Sequence, residues 1–377
     1  MGDESIKLSK DDLSLFDGFD DLYDDNITDY DYNDSCCERG DVCDLHENTA
    51  FGAVFITILY SVVFIVGFLG NGALVGVLVK SRRSWSVTDT FILHLGVADI
   101  LLLLTLPLWA AQAAQSEGWT FGTPLCKITG AVFTINFYCG IFLLACISLD
   151  RYLSIVHATQ MYSRRNPRVV HISCLAVWLF SMILSIPDWI FLDAVTDDRR
   201  NRTECVRNYF QFNSQTVDDW QLASRTLYHI VGFLLPSVVL IFCYSCILHR
   251  LRCGAQGLQK QRAFRVIVAV VVVFFICWTP YNITLVADTI YYQRSNEICV
   301  SSSLEKAIIV TTSIGFLHCS LNPILYAFVG VKFRRQLLDI LRSLGCMIKT
   351  NAVFQSASSK RTSIWSESAD TSNSMAI

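Results

Sequence analysis

A chain of 377 residues that is 53% hydrophobic and only 17% charged, with seven prolines, is too apolar for an ordinary soluble domain of its length. The net charge of -3 hides a separation: residues 1–50 hold sixteen acidic and three basic side chains, a net of -13, which leaves +10 on the remainder. This balance excludes a soluble globular protein and leaves a membrane protein with an acidic arm.

The arm comes first. Residues Met1 to Lys10 show neither the basic start nor the short apolar core of a secretory signal, so the first apolar run is expected to act as its own insertion signal. Tyr23, Tyr30 and Tyr32 lie next to Asp residues, and Asn26 and Asn33 head the glycosylation sequons Asn26-Ile27-Thr28 and Asn33-Asp34-Ser35. Seven apolar runs follow, from near Val54 to Val79, Phe91 to Ala114, Ile128 to Leu149, Val169 to Phe191, Leu227 to Leu248, Val266 to Ile290 and Ala307 to Val329. Each has the roughly 20 residues needed to cross about 30 Å of hydrocarbon as a helix. Basic residues gather after the first (Lys80, Arg82, Arg83), third (Arg164, Arg165, Arg168), fifth (Arg250, Arg252, Lys260, Arg262, Arg265) and seventh runs (Lys332, Arg334, Arg335). The positive-inside rule puts those loops in the cytoplasm, the N-terminus outside and, after an odd number of crossings, the C-terminus inside.

The expected fold is an all-α membrane protein: an extracellular acidic arm over 1–50 and a seven-transmembrane helix bundle over 51–330. An amphipathic membrane-surface eighth helix over 331–346 lies against the membrane lipids, and a disordered cytoplasmic tail fills 347–377. No repeat relates the two halves, which argues against an inverted-repeat transporter. The residues from Asp193 to Arg225 read as one long outer loop, carrying a third sequon at Asn201. Asn282 also heads a sequon, but mid-run, where it stays bare. Cys126, at the outer start of the third run, and Cys205, in that loop, are placed to form a disulfide across the mouth of the bundle; Cys43 and Cys299 are placed for a second, with Cys36 and Cys37 competing for Cys43's role. Cys346, directly after the surface helix, is a palmitoylation candidate.

Polar groups inside apolar runs demand an explanation, because an unpaired charge in hydrocarbon costs several kcal/mol. Asp99 sits mid-run in the second span; Asn71, Asn136 and Asn322 are candidates for the same depth, either as a sodium-type site or as a hydrogen-bonded cluster without an ion. Asp150 and Arg151 interrupt the inner end of the third run. Pro107, Pro187, Pro236, Pro280 and Pro323 fall in five different runs and permit kinks, with Trp278 and Tyr326 beside two of these pivots. His171, His229 and His318 read as packed or hydrogen-bonded side chains, not metal ligands.

Asp150-Arg151-Tyr152, Cys277-Trp278-Thr279-Pro280 and Asn322-Pro323-Ile324-Leu325-Tyr326, in order across seven runs, resemble the rhodopsin-like G-protein-coupled receptors. Thr105-Leu106-Pro107-Leu108-Trp109, His318-Cys319-Ser320-Leu321-Asn322-Pro323 and the second outer cysteine pair narrow the likeness to the chemokine receptor family. Asp34-Ser35-Cys36-Cys37, Phe137-Tyr138-Cys139-Gly140 and Trp365-Ser366-Glu367-Ser368 are most similar to its C-X-C branch.

The resemblance implies a plasma-membrane receptor that binds basic C-X-C chemokines and activates a heterotrimeric G protein of the inhibitory class to drive chemotaxis. Arg151 would pair with Asp150 at rest, then be released toward the G protein, with Tyr244 and Tyr326 swinging in as the sixth helix pivots at Pro280. The acidic arm, sulfated at Tyr23, Tyr30 and Tyr32, would capture the ligand. Tyr60, Trp109, Phe133, Asp188, Asp288 and Phe316 would receive its cationic N-terminus, unless either Asp is held in a salt bridge by Arg225 or Lys306. Receptor kinases would phosphorylate Ser356, Ser358, Ser359, Thr362, Ser363, Ser366 and Ser368 for arrestin. The family pattern departs at Gly140, where a Ser often completes the sodium shell, and at Thr312, where many relatives carry Glu.

A scavenger receptor that internalises chemokine without G-protein signalling is the alternative; an altered Asp-Arg-Tyr triplet would favour it, and here the triplet is intact. Phe133 stands where amine receptors resemble one another in having Asp, and the seventh run has no mid-span Lys for retinal. No nucleophile, metal cluster or phosphate loop points to an enzyme, a resident metal or a cofactor beyond the sodium ion, and nothing points to nucleic acid.

Overall fold

In hydrocarbon every backbone N–H and C=O must be satisfied within the segment, so long apolar runs become helices. The computed structural model describes residues 49–82, 85–157, 167–197, 201–209, 217–253, 258–294, 302–329, 333–335 and 337–338. Among these, seven helices are long and apolar enough to cross a membrane: Gly52–Lys80, Val87–Ala114, Gly122–Val156, Arg168–Phe191, Asp219–Arg252, Arg265–Tyr291 and Ser303–Tyr326, called the first to seventh spans below. The third is the axis, with 72% of its most apolar window buried against 17% for the first. It packs on the second, fourth and fifth spans, while the first packs on the second and seventh and the sixth on the seventh. Leu69, Ile172, Ile241 and Ile283 point outward and exposed, the surface a lipid-embedded bundle needs.

Local chemistry shapes each span. The second begins with a capping box, Ser86 Oγ accepting from Asp89 N while Asp89 Oδ2 accepts from Ser86 N. Its helix stops at Leu103 and restarts at Leu106, because Pro107 has no N–H and crowds the preceding turn. Thr105 closes the break from its own side, its Oγ1 donating to Leu102 O at 2.7 Å and its N–H donating to the same carbonyl at 2.9 Å. The fourth span repeats the device: the helix breaks between Leu184 and Ile186 before Pro187, and Ser185 Oγ donates to Met182 O at 2.7 Å. In the fifth, the turn before Pro236 widens into a π-helix over Tyr228–Leu234. Pro280 and Pro323 lie inside otherwise continuous helices.

The stretch expected as one long loop is more ordered than its composition suggests. Strand β1 (Leu192–Asp197) pairs antiparallel with β2 (Arg202–Arg207), with Ala194 opposite Cys205. Cys126 and Cys205 are disulfide-bonded, as expected. Closing a loop of 79 residues removes about 4.5 kcal/mol of unfolded-chain entropy in the loop-closure account. The hairpin is also stitched to the turn before the third span, by Trp119 N donating to Thr203 O at 2.8 Å and Thr203 N donating to Glu117 O at 3.0 Å. Gly118, at φ +76, lies so close that any Cβ would strike the Thr203 carbonyl. A helix over Val217–Leu227 then leads into the fifth span, ten residues before the apolar run begins. The sixth helix likewise runs from Leu258 to Arg294, past the apolar run at both ends.

Beyond the seventh span, residues 333–335 and 337–338 are helical and Phe333 packs against the bundle. The arm with Tyr23, Tyr30, Tyr32, Asn26, Asn33 and Cys43, together with Cys299, Cys346 and the serines and threonine from Ser356 to Ser368, lies outside the described residues.

Candidate functional site

At the hairpin end of the bundle, Asp188 and Asp288 do not stand free. Asp188 follows directly on Pro187, whose break turns the helix inward, and is buried against Arg207 at the end of β2, with Nη2 at 2.7 Å and Nε at 2.8 Å from Oδ1. Burial alone would lower the Arg207 guanidinium's pKa, but the adjacent Asp188 carboxylate more than offsets this and raises it above its ordinary value. Asp288 Oδ2 accepts from Arg225 Nη2 at 2.9 Å, with side chains 16% and 14% exposed, tying the sixth span to the fifth. Arg225 is the partner the sequence offered for an Asp; Arg207 is one it did not offer. Between the two pairs lies a cavity lined by Thr134, Tyr138, Tyr209 and Tyr228. The Arg225 Nε and Nη1, Tyr228 OH and Thr134 Oγ1 atoms are buried there without hydrogen-bond partners among the described residues.

Below this cavity is an aromatic floor. Phe133 meets Trp278, Phe316 and Tyr281 at centroid distances of 5.4, 5.3 and 5.7 Å. Tyr60 packs edge-on to Phe316 at 5.2 Å and shares a 3.1 Å hydrogen bond with Ser313 Oγ. Tyr60, Phe133, Phe316 and Trp278 are therefore one group, while Trp109 lies tilted 5.3 Å from Trp119 beside the disulfide and bridges the hairpin's underside to the bundle core. Tyr138 and Phe137 of the third span close against Gly232 in the π-helical turn, where a side chain would collide with the Tyr138 ring. Asn282 is buried, its Nδ2 donating to Trp278 O at 2.9 Å and its Oδ1 3.1 Å from His229 Nδ1. Asn201 lies exposed at φ +46 beside the hairpin turn.

Beneath the floor, Asp99 is fully buried and accepts from Asn136 Nδ2 at 3.0 Å and Asn322 Nδ2 at 2.8 Å. Asn71 lies in the same layer, donating to the Gly67 and Cys319 carbonyls at 3.0 and 2.8 Å. The Oδ1 atoms of Asn71, Asn136 and Asn322 have no hydrogen-bond partner among the described residues. Two neighbours that sequence reading left out join the group: Cys319 Sγ is 3.4 Å from Asp99 Oδ1, and His318 Nε2 is 3.0 Å from Asn322 Nδ2. Their signal was helical spacing, since His318 lies one turn before Asn322 on the same face.

At the opposite end, Arg151 is 3% exposed and bonded to Asp150 Oδ2 through Nη2 at 2.7 Å and Nε at 3.2 Å. Tyr244 of the fifth span shares a 2.8 Å hydrogen bond with Ser148, one turn earlier on the third span. Tyr326 is buried on the seventh. Tyr152 faces away from this group, 3.2 Å from His157 Nε2 and 5.7 Å from the Phe242 ring. Ile155 and Ile247, packed with Val268, close the third, fifth and sixth spans over one another.

The described residues thus set an Arg151–Asp150 pair at one end of seven membrane-length helices and an aromatic-floored cavity at the other. The chain matches the 7 transmembrane receptor (rhodopsin family) over residues 70–326 and belongs to that family. It is 46% identical over 351 residues to C-X-C chemokine receptor type 3 of Homo sapiens, covering 92% of each chain. It is also 44% identical over 356 residues to that receptor of Rattus norvegicus, covering 93% and 94%, and 40% identical over 320 residues to C-X-C chemokine receptor type 5 of Homo sapiens, covering 84% and 85%. Within its family the chain is thus a chemokine receptor, a multi-pass plasma membrane protein of a class that does not consist of enzymes.

Proposed function

We propose that this receptor binds basic C-X-C chemokines outside the cell and activates an inhibitory-class heterotrimeric G protein, driving chemotaxis. The observation that carries the reading is the intact latch: a 3% exposed Arg151 held on Asp150, with Tyr244 held apart on Ser148. A scavenger would have no use for it.

The acidic arm, with sulfated Tyr23, Tyr30 and Tyr32, captures the basic chemokine electrostatically, and its N-terminus descends to the mouth. There an incoming ammonium or guanidinium competes with Arg225 for Asp288 and with Arg207 for Asp188. Displacing Arg225 unties the fifth span from the sixth, which pivots at Pro280 while Trp278 moves on the aromatic floor. Ser148 releases Tyr244, Arg151 leaves Asp150, and Tyr244 and Tyr326 support its turn toward the G protein. A shift from 1:99 to 99:1 requires about 5.5 kcal/mol of differential affinity for the open state. Glycans at Asn26, Asn33 and Asn201, a Cys43–Cys299 tie, palmitoyl at Cys346, and phosphates from Ser356 to Ser368 that recruit arrestin after receptor kinases act belong to the same reading.

A sodium ion fits the Asp99 layer. The carboxylate and the orphan Oδ1 atoms of Asn71, Asn136 and Asn322 are hard oxygen donors, and Gly140 adds none. The ion would hold the second, third and seventh spans in their resting packing. The deciding experiment is a panel of chemokines applied to cells expressing the chain, reading calcium and cyclic AMP. Basic C-X-C members should raise calcium and lower cyclic AMP; uptake of ligand with neither response would establish the scavenger.

A further inference from the structure

The layer that suits sodium also holds donors for which an alkali cation has no use. Asp99 on the second span and His318 and Cys319 on the seventh place one ligand atom each within 4.8 Å of one another. All three side chains are at most 1% exposed. Cys319 Sγ stands 3.4 Å from Asp99 Oδ1 and 3.6 Å from His318 Nδ1. In a tetrahedral zinc site with bonds of about 2.0 Å to oxygen and nitrogen and about 2.3 Å to sulfur, neighbouring ligand atoms are roughly 3.3–3.7 Å apart. These two separations match edges of such a tetrahedron, and the third, between Asp99 and His318, lies within 4.8 Å. Carboxylate oxygen, imidazole nitrogen and thiolate sulfur together select a borderline-soft divalent cation over sodium, magnesium or calcium.

We propose that Asp99, His318 and Cys319 form a binding site for a zinc-class divalent cation, with Asn136 Oδ1 or a water in the fourth position. Asn136 is suited to that place because its Nδ2 already touches the Asp99 carboxylate while its Oδ1 is buried and unpartnered. Charge favours the assembly. The thiol gives its proton to solvent as the zinc–sulfur bond forms, so one dication meets one carboxylate, one thiolate and a neutral imidazole, leaving no net charge in the low-dielectric bundle. Coordination through Nδ1 leaves the His318 proton on Nε2. Bound there, the cation links the second span to the seventh, one ring away from the Trp278 pivot, since the Trp278 and His318 centroids are 6.1 Å apart. None of this depends on which chemokine binds, so the ligand panel and the metal titration can fail separately.

The test is titration of the full chain, reconstituted in lipid nanodiscs in sodium-free buffer, with cobalt(II) as a visible stand-in and then zinc. A thiolate-to-cobalt absorption band is expected, bleached by stoichiometric zinc. Cys319→Ser should abolish the band, and His318→Ala should weaken cobalt binding by about ten-fold or more. Cys243→Ser, which alters a buried thiol on the fifth span, should leave the band unchanged. If His318→Ala does not fold, His318→Gln, which keeps a partner for Asn322, should show the same loss. No band in the unmodified receptor, or a band that survives Cys319→Ser, overturns the proposal.

Discussion

The Arg225–Asp288 pair gives the sharpest prediction. The two side chains are 14% and 16% exposed and meet at 2.9 Å, so the pair lies between two measured regimes. Breaking fully buried pairs costs about 3–5 kcal/mol, whereas exposed pairs contribute about 0.2–1 kcal/mol. Residual solvent screening puts this one at about 1–2 kcal/mol. If Arg225 occupies the carboxylate that a ligand cation must reach, Arg225→Gln removes that competition, and chemokine affinity rises by roughly 5- to 30-fold at 1.4 kcal/mol per decade. The unliganded receptor should meanwhile unfold at a lower temperature, since the fifth span loses its tie to the sixth. Competition binding with a labelled basic C-X-C chemokine, beside thermal unfolding of the empty receptor, reads both. Affinity that is unchanged or weaker while the unfolding temperature falls would show that the pair is a structural strut and not a guarded ligand site.

Ser148→Ala removes the partner that holds Tyr244 at rest; a loss of about 1 kcal/mol should raise ligand-free nucleotide exchange several-fold, read as basal turnover in membranes. Gly118→Ala forces a Cβ into the Thr203 carbonyl at a positive φ, and should cut folded surface receptor measured by antibody staining, while Gly122→Ala, at φ +77 but meeting only Pro124 Cδ at an ordinary 3.7 Å, should be milder. Removing residues 1–34 deletes most of the arm's charge and should lower chemokine affinity and its salt dependence together; equal binding at low salt would mean the arm is idle.

What the sequence revealed followed from what hydrocarbon demands. All seven spans and the kink prolines could be read, because burial in lipid leaves a run of apolar residues and no alternative to a helix. The limits lay where water returns. Residues Val217 to Leu227 are helical but carry Asp218, Asp219, Gln221 and Arg225, a polar composition that hides a helix facing an aqueous mouth. The hairpin was equally hidden even with the Cys126–Cys205 bond in view, because its pairing also depends on the stitch to Glu117 and Trp119 around Gly118, distant in sequence. Asp99 and Arg151 stood out as misfits together with the partners they take, Asn136 and Asn322 for the one and Asp150 for the other, but contacts at the mouth did not. Arg207 reaches Asp188 only because β2 crosses the mouth, and Trp109 turns to Trp119 because its helix restarts after the Pro107 break. Partner choice at a helix end is set by the path of the chain between, which periodicity does not carry.

The account stands on Arg151 as the element that passes the signal to the G protein. The most direct measurement is guanine nucleotide exchange on a purified inhibitory-class heterotrimer by the reconstituted receptor, with and without a basic C-X-C chemokine, for the unmodified chain and for Arg151→Ala. Chemokine should accelerate exchange through the former and leave it at the basal rate through the latter, with ligand binding retained in both. Acceleration that persists without the guanidinium, or its absence in an unmodified receptor that binds chemokine, would contradict the account.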